Sequence, residues 1–591
     1  MKTIILKISL SLALGMSGVI ISFCAVAGFY WPSLPAYAAG TRYVTPAGLD
    51  AGNTCADSAS PCATIQHAVD VAEAGDVIKV ASGTYTDVNN YGGFAQVVYI
   101  SKTVTLRGGY TPAFTDPPDP EINLTTIDAQ GLGRVLYITG DITSTIEGFQ
   151  IAHGDATNIN SENYDLVGEG GGLLIISATV TLRQNSITSN FAPNAGGGLF
   201  LIFANTSLIN NEIISNTSFY GGGFHTYFGE TSLKGNTIKN NRADAGGGGV
   251  LGGGSGATVE QNLFIDNQAG SVAGGLGIVG DKVHVTNNII AGNQSNGSGA
   301  GLYIVGHSQL RHNTIVENYG GDGTGIDIGS SDTTVSNVVM INNIVANHTV
   351  ALTVATGNTA TLENTLWSGN ATDQAGAGLI ITHNDISGDP AFVDPLTGDY
   401  HLGPTSIAIN RGVEAGVAVD IDNDLRDAWP DLGADENLNG TVNRPLPVTG
   451  GAVTLAPGVS LSVTSGVFND TILLTYTPQS PPSPANFKNV GLAYQLSAIF
   501  QSNGQPAQPQ PGQHYTIALT YQQSNVPPDI GESDLALYFW NGSRWLKEST
   551  SAVNPATNTI TATASHFSRW AVLAPVVESP QQLFLPLVIK K

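Results

Sequence analysis

Basic residues are scarce in this chain: 22 Lys and Arg stand against 46 Asp and Glu, for a formal net charge of −24. That balance excludes nucleic acid as a partner, because phosphates need a basic face, and it excludes polyanions held without a bridging cation. Charge of either sign is thin, at 12% of residues, so most of the polar surface is uncharged. Cysteine is limited to three positions, and one of these, Cys24, falls in the first 38 residues. A multi-cysteine metal site or a disulfide-dense scaffold is thereby ruled out. Beyond residue 29 no apolar run approaches the length of a membrane span, so the mature chain is expected to carry none.

The first residues are the exception. Lys2 and Lys7 precede an uncharged apolar stretch from about Ile8 to Phe29, followed by Ala36-Tyr37-Ala38. This order fits a signal peptide over residues 1–38 with cleavage before Ala39; the competing reading is an uncleaved anchor. Ile-Ser-Phe precedes Cys24, which does not fit lipoprotein processing. The expected location is therefore secreted or extracellular surface. After cleavage only Cys55 and Cys62 remain, seven positions apart in NTCADSASPC, and an even pair in an exported chain reads as a disulfide.

What the chain has in abundance is glycine, 72 residues, and its placement is periodic. GGGLLI at 170 is followed by GGGLFL at 196, GGGFHT at 221, GGGGVL at 246, AGGLGI at 273, GAGLYI at 299, GTGIDI at 323 and GAGLII at 376. Adjacent copies lie 24 to 27 residues apart, a period that means stacked repeats. A second motif, Asn-x-apolar-x-x-Asn, runs in phase from Asn185, Asn211, Asn236, Asn262, Asn288, Asn313 and Asn342, and Asn364 opens an eighth copy with its second Asn one place late.

Between these motifs lie short alternating apolar segments, too short for amphipathic helices. The period therefore describes a coil of short strands, paired in parallel at about 4.8 Å and wound right-handed. Glycine suits a crowded corner without room for a Cβ, and stacked Asn amides suit the other bend. The mature chain of about 550 residues fits this architecture, because a solenoid grows along one axis.

These paired motifs resemble the right-handed parallel β-helix superfamily that contains pectate lyases, and the repeats of bacterial polymorphic outer-membrane proteins. Residues 62–87, CATIQHAVDVAEAGDVIKVASGTYTD, resemble the N-terminal cap of such proteins: a short helix, a strand, then Gly83-Thr84-Tyr85. DPAFVDPLTGDYHLGPTSIAINRG, DIDNDLRD and PDLGADE resemble their C-terminal end. The resemblance covers about residues 41–436. It implies an all-β fold, with a cap and first strands over 39–100 and a parallel β-helix with its C-terminal cap over 101–440.

From Thr441 the period stops and longer strands take over, as in TILLTYTP at 471 and HYTIALTY at 514. Residues 441–575 are expected to form a small antiparallel β-sandwich, with Asn541-Gly542 as a two-residue hairpin turn and Tyr538, Trp540, Trp545 and Trp570 as packing residues. Residues 576–591 form a tail, a spacer followed by an apolar octet and two lysines.

Strand alternation sends the first residue after each Gly corner inward and the second outward. The outward column then holds Leu174, Phe200, His225, Gly277, Tyr303 and Asp327, with Tyr227 on the same face. Phe200, His225, Tyr227 and Tyr303 are the candidate carbohydrate-binding residues, since exposed rings in a row stack on sugars; the bland alternative is a covered wall. The column before the Asn corner includes Lys234 and Glu260, an expected exposed ion pair. Asp266 and Glu317 share a column two coils apart, a spacing that two glycosidase carboxyls could use, though the lyase and galacturonase signatures are missing. Asp420, Asp422 and Asp424 supply oxygen ligands suited to Ca²⁺, with a capping turn as the alternative.

The expected function is an exported protein that binds an extracellular polysaccharide or surface glycan. If it also cleaves, it would be a polysaccharide lyase or glycoside hydrolase; the rival is a non-catalytic adhesin or structural spacer. Peptide mapping of the exported protein without reductant is expected to recover Cys55 linked to Cys62, and two free thiols there would remove the bridge.

Overall fold

The computed structural model describes residues 39–576, except 92–93, 158–166, 332–333, 425, 427–428, 438–441, 457, 480–481, 483, 485 and 528–529. The signal-peptide reading of 1–38 and the tail after 576 lie outside the described residues. Among those residues no helix is long and apolar enough to cross a membrane.

One coil shows how the repeat is built. Phe224–Tyr227, Thr231–Lys234, Thr237–Lys239 and Arg242–Ala245 are four short strands separated by bends. Each stacks in parallel on its counterparts in the neighbouring coils. They belong respectively to sheets C, A, B and D, of 12, 13, 12 and 5 strands. Inward positions are aliphatic and fully buried, as in Leu173, Leu199, Leu276, Leu302 and Ile326, which confirms the expected alternation. Phe224 is also inward, and its ring lies 2.2 Å from where a Cβ on Gly249 would stand. The fourth glycine of GGGGVL is there because the coil below put a ring in that space.

The Asn motif marks two bends, where a single one is expected from the repeat. In the copies from Asn185 to Asn313 the residue before the first Asn and the residue before the second are left-handed, as at Asn210 (φ 52°) and Ser215 (φ 58°) around Asn211 and Asn216. The bends flank the sheet B strand Glu212–Ile214. Each buried Asn then links two coils. Asn211 Oδ1 accepts from Asn185 N–H at 3.0 Å and from Asn185 Nδ2 at 3.1 Å, while Asn211 Nδ2 donates to the Leu182 carbonyl at 2.8 Å. One ladder runs from Asn185 to Asn343 and a second from Asn190 to Asn318, where His348 takes over.

Two register details differ from the sequence expectation. Asn342 and Asn347 are the left-handed corner residues (φ 59° and 60°), and Asn343 and His348 hold the ladder positions. Likewise Asn364 is a corner residue with Thr365 behind it, which makes Asn370 correctly placed and not late. The glycine motif at 376 also sits elsewhere: Thr372–Gly376 closes sheet C, and Leu379–His383 already belongs to sheet A.

At the N-terminal end the cap is as expected. The helix Ile65–Val71 opens at Thr64, whose hydroxyl accepts from His67 N–H at 3.2 Å. Cys55 and Cys62 are joined and fully buried, and the segment they tie hydrogen-bonds to Tyr43, next to the first strand's outer edge. The described part of the segment 400–436 behaves differently from an end cap. It folds back over the flank of sheet B, where Tyr400, Leu402, Leu432 and Ala434 cover Ile289, Val316, Ile344 and Leu366.

The remainder forms two antiparallel sheets of six and five strands around a core that includes Trp570, Tyr494 and Tyr515. Trp540 pairs with Trp545, so residues 541–544 make a four-residue loop in place of the expected two-residue turn. The Asn541 carboxamide accepts from Ser543 and Arg544 N–H groups and holds that longer loop.

Two measurements test this packing. A Cβ on Gly222 would stand 2.5 Å from the Arg242 carbonyl oxygen and 2.6 Å from that of Gly247, so Gly222→Val is expected to cost more than about 1 kcal/mol in chemical denaturation. His348 is pushed down to about 4 by burial, against a weaker opposing hydrogen bond that its ring donates to Asn370 Oδ1, whereas an unfolded His titrates at about 6.5. Its contribution is complete above about pH 6.5 and is lost as the pH falls through about 4. His348→Asn restores the ladder residue of other coils and should shrink the fall in unfolding temperature between about pH 7 and about pH 4.5.

Candidate functional site

The outward column of sheet C follows the register Tyr99, Tyr137, Leu174, Phe200, His225, Val250, Gly277, Tyr303, Asp327. The predicted column is therefore real, but it begins two coils earlier, with Tyr99 and Tyr137 at 5.3 Å between ring centroids. Val250 and Gly277 interrupt it. Tyr303 stands three coils beyond His225, about 14 Å by strand spacing, so the four predicted sugar-binding residues do not form one site.

Phe200 is not an exposed platform. It is 7% exposed and packs with Tyr137, Leu174, Ala192 and Ala195. The reason is sheet D, whose strand Phe191–Ala195 precedes the Gly corner and lays small side chains beside the column. Tyr303 is half-buried, its phenol pushed up by burial and by the neighbouring Asp327. Asp327 is itself raised, first by burial and also by Asp322.

Around His225 the picture is different. Phe200, Tyr220 and Tyr227 stand 5.6, 6.2 and 6.4 Å from the imidazole. Burial pushes the His225 pKa down to about 4 and its Nδ1 has no protein partner, so at neutral pH the ring is an uncharged hydrogen-bonding group. Beside it Tyr227 touches Phe228 edge-on at 4.5 Å, and Phe228 stacks on Phe203 at 5.4 Å with 6° between the planes. Phe219 and Tyr220 meet on the sheet D side at 4.6 Å. Phe203, Phe219, Tyr220, Tyr227 and Phe228 are all exposed.

Five exposed rings around a neutral imidazole, within two coils, are the chemically distinctive feature of the solenoid surface. Sequence reasoning found His225 and Tyr227 and missed the others. Phe203 and Phe228 are the left-handed bend residues after their strands (φ 51° and 54°), a position that points a side chain away from the coil. A bulky residue there is the signal that strand alternation alone does not read.

The remaining candidates take structural roles. Asp420 is fully buried, and its carboxylate accepts from the N–H groups of Asp422, Asp424 and Glu436 at 2.8 to 2.9 Å. It therefore caps a turn, and three of its about four acceptor sites are already taken by backbone N–H groups. Asp422 instead meets His401 Nε2 at 2.7 Å, and His401, Asp422 and Asp435 converge. Asp266 and Glu317 are corner residues of the second ladder (φ 55° and 57°). Asp266 pairs with Lys239 at 3.6 Å, and Glu317 accepts from the Tyr400 hydroxyl at 3.2 Å. Lys234 and Glu260 form the expected exposed ion pair at 3.8 Å.

Residues 171–339 match the family model described as right handed beta helix region, and residues 47–226 match one described as a protein of unknown function, DUF1565. Among solved structures, a complex of XylC with xylose is 10% identical over 67% of this chain and 98% of that one, with a TM-score of 0.37. A rhamnogalacturonan lyase is 12% identical over 66% and 95%, with a TM-score of 0.33. A tailspike mutant of E. coli bacteriophage HK620 with a pentasaccharide is 12% identical over 88% and 92%, at 0.25. Overlays this loose carry no argument about activity. No curated protein sequence matches significantly.

Proposed function

Taking the chain as a right-handed parallel β-helix protein, we propose that it is exported and binds an extracellular polysaccharide on the ring cluster around His225. The observation that carries this reading is the group of exposed rings at Phe203, Phe219, Tyr220, Tyr227 and Phe228. Isolated exposed apolar residues are ordinary, but a contiguous ring patch marks a binding surface. Each ring that stacks on a pyranose contributes about 1 kcal/mol, and a polymer that engages several rings at once gains by effective concentration. Neutral His225 neither repels nor attracts charge beneath the rings.

The reading is one of binding. Hydrolysis needs two carboxyls at about 5 to 10 Å. The nearest carboxylate in the outward column, Asp327, is four coils from His225, and Asp266 and Glu317 are engaged at a different corner. In the adhesin or spacer reading the solenoid holds other parts apart and the rings bind nothing.

Affinity electrophoresis against a panel of soluble neutral and uronate polysaccharides tests this. Tyr227→Ala with Phe228→Ala is expected to weaken binding at least about tenfold and to leave the unfolding temperature nearly unchanged, because both rings are exposed. Phe200→Ala should do the reverse, lowering stability by about 3 kcal/mol or more. If the unaltered protein binds no member of the panel, the spacer reading is preferred.

A further inference from the structure

The bend between sheets A and B presents one left-handed residue per coil: Gln184, Asn210, Gly235, Gln261, Asn287, His312, Asn342 and Asn364. The returning segment 408–436 is stitched to the later members of this column. Asn364 and Asn342 donate to the carbonyls of Arg411 and Val413 at 2.6 and 2.7 Å. Asn287 and Gln261 donate to those of Val419 and Asp420, both at 2.6 Å. Gln261, Asn287, His312 and Asn342 are buried as a result. The corner amides are thus a peptide-binding row: each offers an N–H₂ group to a main-chain carbonyl laid across it.

The row does not stop where the strap does. Gln184 and Asn210 carry the same amides in the same conformation, yet both are exposed, and their side chains make no hydrogen bond among the described residues. Two cavities of about 470 and 810 Å³ meet at Asn210. The first is bounded by Ile421, Asp422 and Asn423 of the strap. The second is closed by Pro117–Glu121, with the Pro120 ring 2.9 Å from where a Cβ on Gly148 would stand. From Gly148 to Gln261 is four coil steps, about 19 Å, which takes about six residues of extended chain.

We propose that this open half of the corner binds an extended peptide segment of a partner protein, main chain on the Gln184 and Asn210 amides, as the other half binds the chain's own strap. Charge selects the partner. The larger cavity is lined by Asp119, Glu121 and Glu212 and by no cationic side chain, whereas the smaller one holds Lys234 and His401 with Asp422, so the segment carries a Lys or Arg that seats in the larger. The outward face of sheet B supports a polar occupant: Ser186, Glu212 and Thr237 stand here, where Ile289, Ile344 and Leu366 stand beneath the strap.

The test uses the full exported chain and a positional-scanning library of hexapeptides, read by fluorescence anisotropy. Lysine- or arginine-containing peptides are expected to bind saturably and to weaken with added salt. Gln184→Gly with Asn210→Gly should cost at least about tenfold in affinity, and Asp119→Asn, Glu121→Gln and Glu212→Gln together should erase the preference for basic peptides. Glycine is chosen because Gly235 already holds this column at φ 68°, so the fold is retained. Tyr227→Ala with Phe228→Ala should leave peptide binding untouched. No saturable peptide binding, or binding that survives the double glycine variant, overturns the proposal. So does a neutral oligosaccharide whose binding is lost in that variant, since the groove would then be a sugar site.

Discussion

A buried asparagine amide that spans two coils is the interaction on which the rest of this molecule depends. A chain that bends sharply between short strands strands its own N–H and C=O groups at the bend, away from water, where each unpaired group costs free energy. The Asn side chain is short enough to stay inside the turn and carries both a donor and an acceptor. Asn236 shows the complete use of both: Oδ1 accepts from Asn211, and Nδ2 donates to Asn262 and to the Leu208 carbonyl. Each rung therefore satisfies its neighbour, and the rungs form two ladders along the solenoid. The last coil fits the same logic. Beyond Asn343 the ladder position passes to Thr365, whose N–H donates to Asp385 at 2.9 Å, so a side-chain oxygen still meets the N–H at that bend.

With the corners fixed by amides and the interior filled by aliphatic side chains, the outward columns are free to vary. That freedom is where function enters. Two outward faces and one bend have separate fates: sheet B is covered by the strap over its later coils, sheet C is lined by sheet D, and the bend after sheet C carries Phe203 and Phe228 into solvent. Departures from the repeat, more than the repeat itself, mark the surfaces that meet something. Sheet B shows this along its length, changing from Ser186 and Glu212 to Ile289 and Ile344 where the strap lies down.

Most of the fold was legible because it is periodic. Two motifs locked to one step define the coil, its parallel stacking and its direction, and the strands of residues 441–575 announce themselves by length and alternation. The register at Asn342 and Asn364 is not legible, because consecutive or displaced polar residues make the corner and ladder positions interchangeable in sequence; only pairing across coils tells them apart. The candidate site was half legible. His225 and Tyr227 follow from alternation, whereas Phe200 is covered by a strand whose existence the short Asn-to-Gly spacing conceals.

The sequence by itself determined the repeat, the inward and outward alternation, the buried disulfide and the change of architecture near residue 441, because each of these is a local or periodic property that spacing encodes. Tertiary structure alone decided which outward residues are surface. Asp420 and Asp422 look alike in sequence, but one is surrounded by backbone N–H groups and the other reaches His401. Gln184 and Gln261 hold the same position in their coils, yet one is exposed and the other lies under residues 160 positions further along the chain. Burial of that kind depends on where a distant segment comes to rest, and a segment's resting place is set by packing across the whole fold, which no local pattern records.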